Sequence, residues 1–185
     1  MSNQEIEVRF LEIDVASLAE KLAESGALDK GENLLEEIIY YDHDLNWRDS
    51  GRFVRLRKSK GKISLSYKHH HSEGMDGVEE IEFSVGDWGK AALFLEKIGL
   101  VPFRRQQKKR HSYVLDGVSV DIDTWPRIPT YVELEGGSEA AIRRAAGRLG
   151  LNWEEAVFES ARTIIEERYH IPVGAMSWFT FDKFE

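Results

Sequence analysis

Pairs of acidic residues separated by one residue recur at four places in the chain, and they constrain its fold more than any other feature. The pairs are Glu5-x-Glu7, Glu80-x-Glu82, Asp121-x-Asp123 and Glu133-x-Glu135. Alternate residues of a β-strand point to the same face, so each pair places two carboxylates side by side. If these strands share a sheet, their carboxylates gather on one surface and repel one another. We therefore expect cations or protons at that surface.

Composition narrows the class of protein. The chain has 185 residues, of which 42% are hydrophobic and 31% charged, which is typical of a folded domain rather than a disordered chain. Its net charge of -8 argues against a general binder of nucleic acid or membrane surfaces. It has no cysteine, so disulfides and thiolate chemistry are excluded. No signal region and no long apolar stretch are visible, and we expect a cytoplasmic protein.

A strand followed by a helix is predicted three times. Good N-cap residues are followed twelve positions later by glycines that suit a helix end, with apolar residues at helical spacing between them. These cap and glycine pairs are Asp14 with Gly26, Asp87 with Gly99, and Ser138 with Gly150. The spacing between the repeats is too unequal for a solenoid, so we interpret them as related units inside one domain.

The remaining segments predict strands that form hairpins and a final helix. Asp116-Gly117 between two strand-like runs is a strong hairpin signal. A last helix is predicted over Glu154–Tyr169, before an aromatic tail. The predicted strands between the helices are Leu35–Asp42, Phe53–Lys58, Ile63–Lys68, Gln106–Leu115, Val118–Thr124 and Tyr131–Glu135. This order predicts an α+β domain, mainly antiparallel, with helices on one side of a sheet of about eight strands.

Charged and apolar residues alternate along almost every predicted strand. In a single strand this pattern indicates a solvated face, but solvated faces usually also carry Thr, Gln and Ser. A curled sheet would instead bring the charges inward around a polar channel. The cations in this pattern, which suit a phosphate-rich anion, are Arg9, Arg55, Arg57, Lys68, Lys108 and Arg110. Clustered carboxylates are hard ligands of the kind Mg²⁺ or Mn²⁺ prefers, so the pattern favours metal-assisted phosphoryl or nucleotidyl transfer.

The same residues carry a resemblance to a known family. Glu5-Ile6-Glu7-Val8-Arg9 resembles the N-terminal Glu-x-Glu-x-Lys signature of the CYTH superfamily, the triphosphate tunnel metalloenzymes. Further motifs follow in the family's order along almost the whole chain. They are Tyr40-Tyr41-Asp42, Val54-Arg55-Leu56-Arg57, Ser66-Tyr67-Lys68, Lys108-Lys109-Arg110, Val120-Asp121-Ile122-Asp123 and Tyr131-Val132-Glu133-Leu134-Glu135.

The resemblance implies a fold and a set of site residues. The fold would be an eight-stranded antiparallel β tunnel, closed or nearly closed, in a single domain over 1–185 that includes the helix and tail of 153–185. Tyr40 and Lys68 would help to activate water. The metal ligands would be Glu5, Glu7, Asp121, Asp123, Glu133 and Glu135. The triphosphate-binding residues would be Arg9, Arg55, Arg57, Lys68, Lys108 and Arg110, with Glu80 and Glu82 orienting the basic side chains. Arg9 departs from the signature lysine; it keeps the charge but cannot exchange a proton near neutral pH.

Two other motifs are interpreted as less informative. His69-His70-His71 predicts a solvated loop rather than a metal site, because consecutive histidines do not share a face. The basic run Arg104–Arg110 resembles a nucleic-acid patch, but in an alternating strand it divides better into channel residues and solvated residues.

Three functions follow from these expectations. The first is hydrolysis of tripolyphosphate, thiamine triphosphate or a nucleoside triphosphate at its terminal phosphate, with Mg²⁺ or Mn²⁺. The second is a class IV adenylyl cyclase that converts ATP to cyclic AMP and pyrophosphate. The third is a protein that binds polyphosphate or nucleotide without turnover. The expected partner is a small-molecule triphosphate, not a nucleic acid or a membrane, and the chain would be a monomer or homodimer.

Overall fold

The computed structural model describes residues 3–70 and 78–185, with side chains from Ile6 onward. The strands are β1 (Asn3–Glu5), β2 (Glu7–Phe10), β3 (Leu28–Asp42), β4 (Arg52–Ser59), β5 (Lys62–His70), β6 (Val78–Val85), β7 (Leu100–Leu115), β8 (Val118–Thr124), β9 (Tyr131–Glu135) and β10 (Trp178–Phe179). The α-helices are α1 (Val15–Glu24), α2 (Asn46–Asp49), α3 (Trp88–Lys97), α4 (Glu139–Arg148) and α5 (Ala161–Glu167). Two 3-10 turns lie at Trp153–Glu155 and Val173–Ala175.

The strands form one curled, mainly antiparallel sheet in the order β1-β6-β5-β4-β3-β7-β8-β9-β2. Only Ile6 separates β1 from β2, yet β1 pairs with β6 at one end of the sheet and β2 pairs with β9 at the other. The N-terminal segment therefore joins the two ends of the sheet. With β1 and β2 taken as one interrupted strand, the predicted eight-stranded α+β fold is confirmed in the described residues, and β10 adds a short parallel strand beside β7.

Apolar side chains cover the outside of the sheet, where the helices pack. Residues of α1 and α4, including Leu22 and Ile142, pack on the outer face of β2, β8 and β9. Helix α3 places Leu95 against Leu56 and Ile38 of β4 and β3. Burial of these residues gives the hydrophobic stabilisation, and it leaves the charged alternate residues on the inner face.

The three strand-helix units have the predicted caps. Asp14, Asp87 and Ser138 each accept a hydrogen bond from a backbone N–H in the first turn of α1, α3 and α4. Beyond the last turn, Gly26, Gly99 and Gly150 have φ of 69°, 94° and 66°. Only glycine enters this left-handed region without a steric penalty, so the glycines end the helices where the sequence predicts.

The long C-terminal helix predicted over Glu154–Tyr169 is wrong. The segment forms a 3-10 turn, then an extended stretch, then the short α5. Val157 and Arg9 exchange two backbone hydrogen bonds of 2.8 and 2.9 Å, which places Val157 beside β2 and interrupts any helix there. Ser160 then caps α5 by accepting a hydrogen bond from the N–H of Thr163 at 3.1 Å.

Strands β3 and β7 are longer than predicted. They pair with each other from Leu28 opposite Val114 to Asp42 opposite Leu100, with register shifts near Gly31 and Tyr40. These shifts are β-bulges, and they break the regular alternation on which the prediction of strand length depends.

Candidate active site

The inner face of the sheet lines a cavity of about 1190 Å³. Charged side chains of seven strands reach it, together with residues of α5 and of the segment before it. The cavity-lining residues of the sheet include Glu7, Arg9, Glu37, Arg55, Arg57, Lys68, Glu80, Glu82, Arg104, Gln106, Lys108, Arg110, Glu133 and Glu135. All six predicted phosphate-binding cations therefore lie in one cavity.

Arg9 lies at the acidic end of the cavity and is 4% exposed. Its guanidinium contacts the carboxylates of Glu7 at 2.7 Å and Glu133 at 2.6 Å, and donates to the carbonyl of Glu159 at 2.9 Å. Burial opposes the charge, but Glu7 and Glu133 raise the pKa of Arg9 above its ordinary value. The Arg9 guanidinium is therefore a permanent cation, and its hydrogen bond to Glu159 also holds the segment before α5 against β2.

Arg110 lies at the centre of the remaining carboxylates. It binds Asp121 at 2.6 Å, Asp123 at 2.6 Å and Glu133 at 2.8 Å. Burial lowers the pKa of Arg110, but the three carboxylates outweigh it and hold that pKa above its ordinary value. These ion pairs fix the plane of the guanidinium across β7, β8 and β9.

Lys108 lies one inward position from Arg110 on β7 and binds Asp123 at 2.6 Å. Burial and the neighbouring charge of Arg110 lower the pKa of its ammonium group from the ordinary value. Its Nζ also lies over the ring of Trp125, 5.1 Å from the centroid. Lys108 therefore extends the positive wall from the acidic end toward the middle of the cavity.

The opposite wall of the cavity is basic and comes from β4 and β5. Arg55 contacts Glu80 at 3.0 Å and Glu82 at 3.6 Å, and Lys68 contacts Glu80 at 2.7 Å. Burial, with Arg57 close by, lowers the pKa of Arg55. The carboxylates of Glu80 and Glu82 would repel a phosphate, but they contact the cations that face it, which fits the orienting role expected of them.

Glu37 is a site residue that the sequence analysis missed. Its side chain is 2% exposed and accepts hydrogen bonds from Arg57 Nε at 2.6 Å and Gln106 Nε2 at 2.5 Å. Burial alone would raise the pKa of this carboxyl, but Arg57 and Arg55 lower it strongly. The available signal was a pair of adjacent glutamates, Glu36 and Glu37, among the apolar residues of Leu34–Tyr41, of which one must share the face of Leu35 and Ile39.

Tyr40 does not reach the cavity. It is 1% exposed and packs on the outer face of β3 with Leu56 and Leu95, whereas its neighbours Ile39 and Tyr41 line the cavity. The catalytic role predicted for Tyr40 is therefore wrong on geometry. Lys68, the other predicted catalytic residue, does face the cavity, and its role stays a prediction.

Asp123 is also misplaced for its predicted metal role. Its side chain is fully buried, and both of its carboxylate oxygens are bound by Lys108 or Arg110. A metal could bind it only after these ion pairs break. The two oxygens of Glu133 are likewise bound, by Arg9 and Arg110, but Glu133 lines the cavity whereas the side chain of Asp123 has no exposed surface. Asp123 instead serves as the buried counterion of these two cations. The side chain of Glu5, another predicted metal ligand, lies outside the described part of the structure.

Among the described residues, no three His, Asp or Glu side chains are arranged to hold a metal ion. Two carboxylates beside Glu133 nevertheless fit a cation. Asp121 Oδ1 is buried without a hydrogen-bond partner, and Glu135 forms no ion pair with another described residue. Burial raises the pKa of both groups, and the charge of Glu133 adds to the effect. A hard divalent cation would neutralise this excess of negative charge.

The histidine run is not entirely a solvated loop. Strand β5 continues to His70, which lines the cavity and stacks on Phe53 with ring centroids 6.0 Å apart. Burial, with Lys68 nearby, lowers the pKa of His70 to about 4. His71 lies outside the described residues. The solvated-loop prediction is therefore wrong for His70, a neutral ring in the cavity wall.

The basic run on β7 divides as predicted. Arg104, Gln106, Lys108 and Arg110 line the cavity, while Arg105 and Lys109 are exposed on the other face. None of the described helices is long and apolar enough to span a membrane.

Comparison with known proteins fits this geometry. The sequence profile of the CYTH domain matches residues 3–164. The chain belongs to the CYTH family. A protein of Methanocaldococcus jannaschii named as a candidate adenylate cyclase is 24% identical over 132 residues, which cover 71% of this chain and 75% of the relative.

Solved structures share the CYTH fold. A Pyrococcus horikoshii protein has a TM-score of 0.71 at 23% identity, covering 84% of this chain and 96% of its own. A candidate adenylate cyclase from Vibrio parahaemolyticus has a TM-score of 0.75 at 15% identity, covering 90% and 99%. A candidate adenylyl cyclase from Hippeastrum, described as having a dominant triphosphatase activity, has a TM-score of 0.60 at 15% identity, covering 90% and 95%. At these identities the likeness concerns the fold alone.

Proposed function

We propose that this CYTH protein is a divalent-metal-dependent enzyme that hydrolyses a triphosphate at its terminal phosphate. The substrate would be tripolyphosphate, thiamine triphosphate or a nucleoside triphosphate. One observation carries the proposal: six cations from four separate parts of the sheet face a single cavity beside a group of carboxylates. Guanidinium and ammonium groups arranged in this way suit the oxygens of a phosphate chain. A small molecule could place such a chain inside the cavity, whereas a nucleic-acid duplex or a membrane could not.

The metal in this proposal would bind at the acidic end. Glu7, Glu133 and Glu135 lie on the paired strands β2 and β9, with Asp121 on the adjacent β8. Mg²⁺ or Mn²⁺ there would neutralise phosphate charge and polarise the transferred phosphoryl group. The residues of the chain orient the substrate: Arg55, Arg57 and Lys108 would bind phosphate oxygens, while Glu37, Glu80 and Asp123 hold these cations in place.

Adenylyl cyclase activity is the second candidate, and the size of the cavity favours it. The cavity volume of about 1190 Å³ is larger than that of typical small-ligand pockets, which is about 300–1,000 Å³. A nucleoside could therefore enter beside the triphosphate. The cyclase-like names of the relatives point the same way. Because Tyr40 does not face the cavity, it cannot activate water there, and one argument for hydrolysis is removed.

Binding without turnover is the third candidate. It is favoured by the ion pairs of the acidic end, where Arg9 and Arg110 already engage Glu7, Asp121 and Glu133. Such a protein, a monomer or homodimer, would bind polyphosphate in its charged cavity and release it unchanged.

The deciding experiment incubates the purified protein with Mg²⁺ or Mn²⁺ and tripolyphosphate, thiamine triphosphate or ATP, and resolves the products. We expect orthophosphate and no cyclic AMP. Cyclic AMP with pyrophosphate would replace the hydrolase proposal by the cyclase, and tight binding without product would support the third candidate. We expect Glu133→Gln to abolish turnover and Glu139→Gln, a matched change on exposed α4, to leave it intact.

A further inference from the structure

Arg104 lies at the end of the cavity opposite to the carboxylates. It shares the inward face of β7 with Gln106, Lys108 and Arg110. It lies four positions before Lys108, which corresponds to roughly 13 Å at the usual rise of a strand. A triphosphate anchored at Lys108 and Arg110 beside Glu133 would therefore have its anchor on β7 well away from Arg104.

The guanidinium of Arg104 is buried without a carboxylate partner among the described residues. It is 6% exposed, and its side-chain hydrogen bonds go to neutral acceptors, Gln106 Oε1 at 2.8 Å and the carbonyl of Val173 at 2.8 Å. A buried charge without a counterion is costly, which is why buried arginines normally face a carboxylate. Arg104 lines the cavity, so an anion that enters it could supply the missing charge.

The charged groups near Arg104 are paired with other residues. Burial lowers the pKa of Arg104 and the guanidinium of Arg162 on α5 lowers it further, while Tyr41, Glu37 and Glu166 oppose this shift. Glu166 is the nearest acid of α5, but it binds Arg162 at 3.0 Å and accepts the N–H of Gly174 at 2.6 Å. Glu37 is bound by Arg57 and Gln106. Neither carboxylate is directed to Arg104.

The wall beside Arg104 has an uncharged part. Gln106 fills the position of β7 between Lys108 and Arg104, and its amide donates to Glu37, which lies opposite it on β3. Ile39 lies opposite Arg104, and Tyr41 follows on the same face of β3, while Arg57 and Arg55 of β4 lie beside Glu37 and Ile39. An uncharged organic group would pack against Ile39 and Tyr41.

We propose that Arg104, with Arg162, forms a second anion subsite that binds an oxyanion on the organic part of the substrate. This inference rests on the proposed function, because it takes the triphosphate to occupy the Lys108 end. The substrate would be an organic triphosphate whose uncharged portion packs against Ile39 and Tyr41 and carries a phosphate or carboxylate that binds Arg104. Inorganic tripolyphosphate would fill only one of the two subsites.

Calorimetric titration tests the subsite with small anions. Protein saturated with tripolyphosphate in a metal chelator, which prevents turnover, is titrated with inorganic phosphate and separately with acetate. We expect one further anion to bind per chain; phosphate alone would identify a phosphoryl group, and equal binding of acetate a carboxylate. Because a charge-assisted pair is lost, we expect Arg104→Met to weaken this binding about tenfold or more while tripolyphosphate affinity changes by about threefold or less.

Matched variants separate the subsite from a structural role. Arg105→Met removes the exposed neighbour on the same strand and should leave both affinities unchanged, and Arg104→Lys should keep the second anion. Arg55→Met should weaken tripolyphosphate without moving the phosphate site. If Arg104→Met does not fold, Arg162→Gln provides the same comparison. Absence of a second anion, or a second anion that Arg104→Met and Arg162→Gln leave unchanged, would overturn the subsite. Failure of tripolyphosphate to bind both in the chelator and with Mg²⁺ present would instead count against the proposed function.

Discussion

Glu37 shows how one buried carboxylate can organise a positive wall. It neutralises Arg57 and Arg55 from below and leaves their outer faces toward the cavity. Replacing it would leave Arg57 without its carboxylate partner and Arg55 with only Glu80 and Glu82. Loss of one partner of a buried ion pair costs several kcal/mol in other proteins. The cations that would bind phosphate therefore depend on an acid that would not touch it.

We expect Glu37→Gln to lower the free energy of unfolding by roughly 3 kcal/mol at pH 7, measured by urea denaturation. The folded-state pKa of Glu37 is lowered, so its stabilisation is present above the unfolded pKa and is lost as pH falls below it. The difference between variant and wild type should therefore shrink below about pH 4. Glu36→Gln changes the half-exposed neighbour and should alter the free energy of unfolding little. An equal loss of stability in both variants would contradict the role of Glu37 as the buried counterion.

His70 makes folding stability depend on pH in a different range. Its folded-state pKa of about 4 lies below the ordinary value of 6.5, because burial and the charges of Lys68, Arg9 and His69 oppose protonation more than Glu7 favours it. The unfolded chain takes up the proton first, so stability is full above about pH 6.5 and falls toward pH 4. Integrated over this window, the loss amounts to roughly 3 kcal/mol.

We expect His70→Phe to flatten this part of the stability profile, since phenylalanine keeps the ring beside Phe53 but takes up no proton. Thermal unfolding at pH 4, 5, 6 and 7 would measure the change. His43→Gln is the control, because His43 is exposed. The burial of a neutral ring would be contradicted if wild-type stability did not decline between pH 6.5 and pH 4. It would also be contradicted if the His70→Phe variant showed the same decline.

The sequence predicts those elements best whose two faces differ. In β4, β8 and β9, charged and apolar residues alternate, so both strand and inward face follow from the sequence. In β3 this contrast disappears, because Ile38, Ile39, Tyr40 and Tyr41 are all buried. Which tyrosine faces the cavity then depends on packing against α3, and the catalytic role of Tyr40 was implied by the family resemblance alone.

Long-range pairing explains the other failures. The backbone bridge between Val157 and Arg9 connects residues far apart in sequence, and local helix propensity over Glu154–Tyr169 carries no trace of it. The same applies to Arg104, whose partners Gln106 and Val173 meet only when the C-terminal segment folds against β7. Charge type could be predicted from sequence, whereas the pairing of individual charges could not.

Helix α5 borders the inner part of the cavity and is short enough for its cap to matter. We expect Ser160→Ala, which removes the N-cap acceptor, to cost about 1 kcal/mol and to raise amide hydrogen exchange across Ala161–Glu167. Ser138→Ala removes the equivalent cap of α4 away from the cavity and should leave exchange in α5 unchanged. Equal exchange rates of α5 in wild type and Ser160→Ala would show that packing of Ile164 and Ile165 alone fixes this helix.

Closure of the sheet concentrates charge that an open sheet would leave in water. Because the N-terminal segment pairs with both ends of the sheet, Glu7 on β2 lies directly opposite Glu135 on β9. Arg9 and Arg110 offset part of the negative charge, but Asp121 and Glu135 retain raised pKa values, with burial as the main cause. The closed fold thus holds an unbalanced carboxylate group that binding of a cation would stabilise.

We expect Mg²⁺ or Mn²⁺ to raise the unfolding temperature, because a ligand of the native state adds about 2.7 kcal/mol at a concentration one hundred times its dissociation constant. Glu135→Gln removes one carboxylate from the group. In the absence of cation this variant should be at least as stable as wild type, since repulsion by Glu7 and Glu133 is relieved; with cation it should gain less. Glu20→Gln, on the exposed face of α1, should respond to cation as wild type does. If Glu135→Gln gained as much as wild type, the cation would bind elsewhere, and the carboxylates of β2 and β9 would serve only to position Arg9 and Arg110.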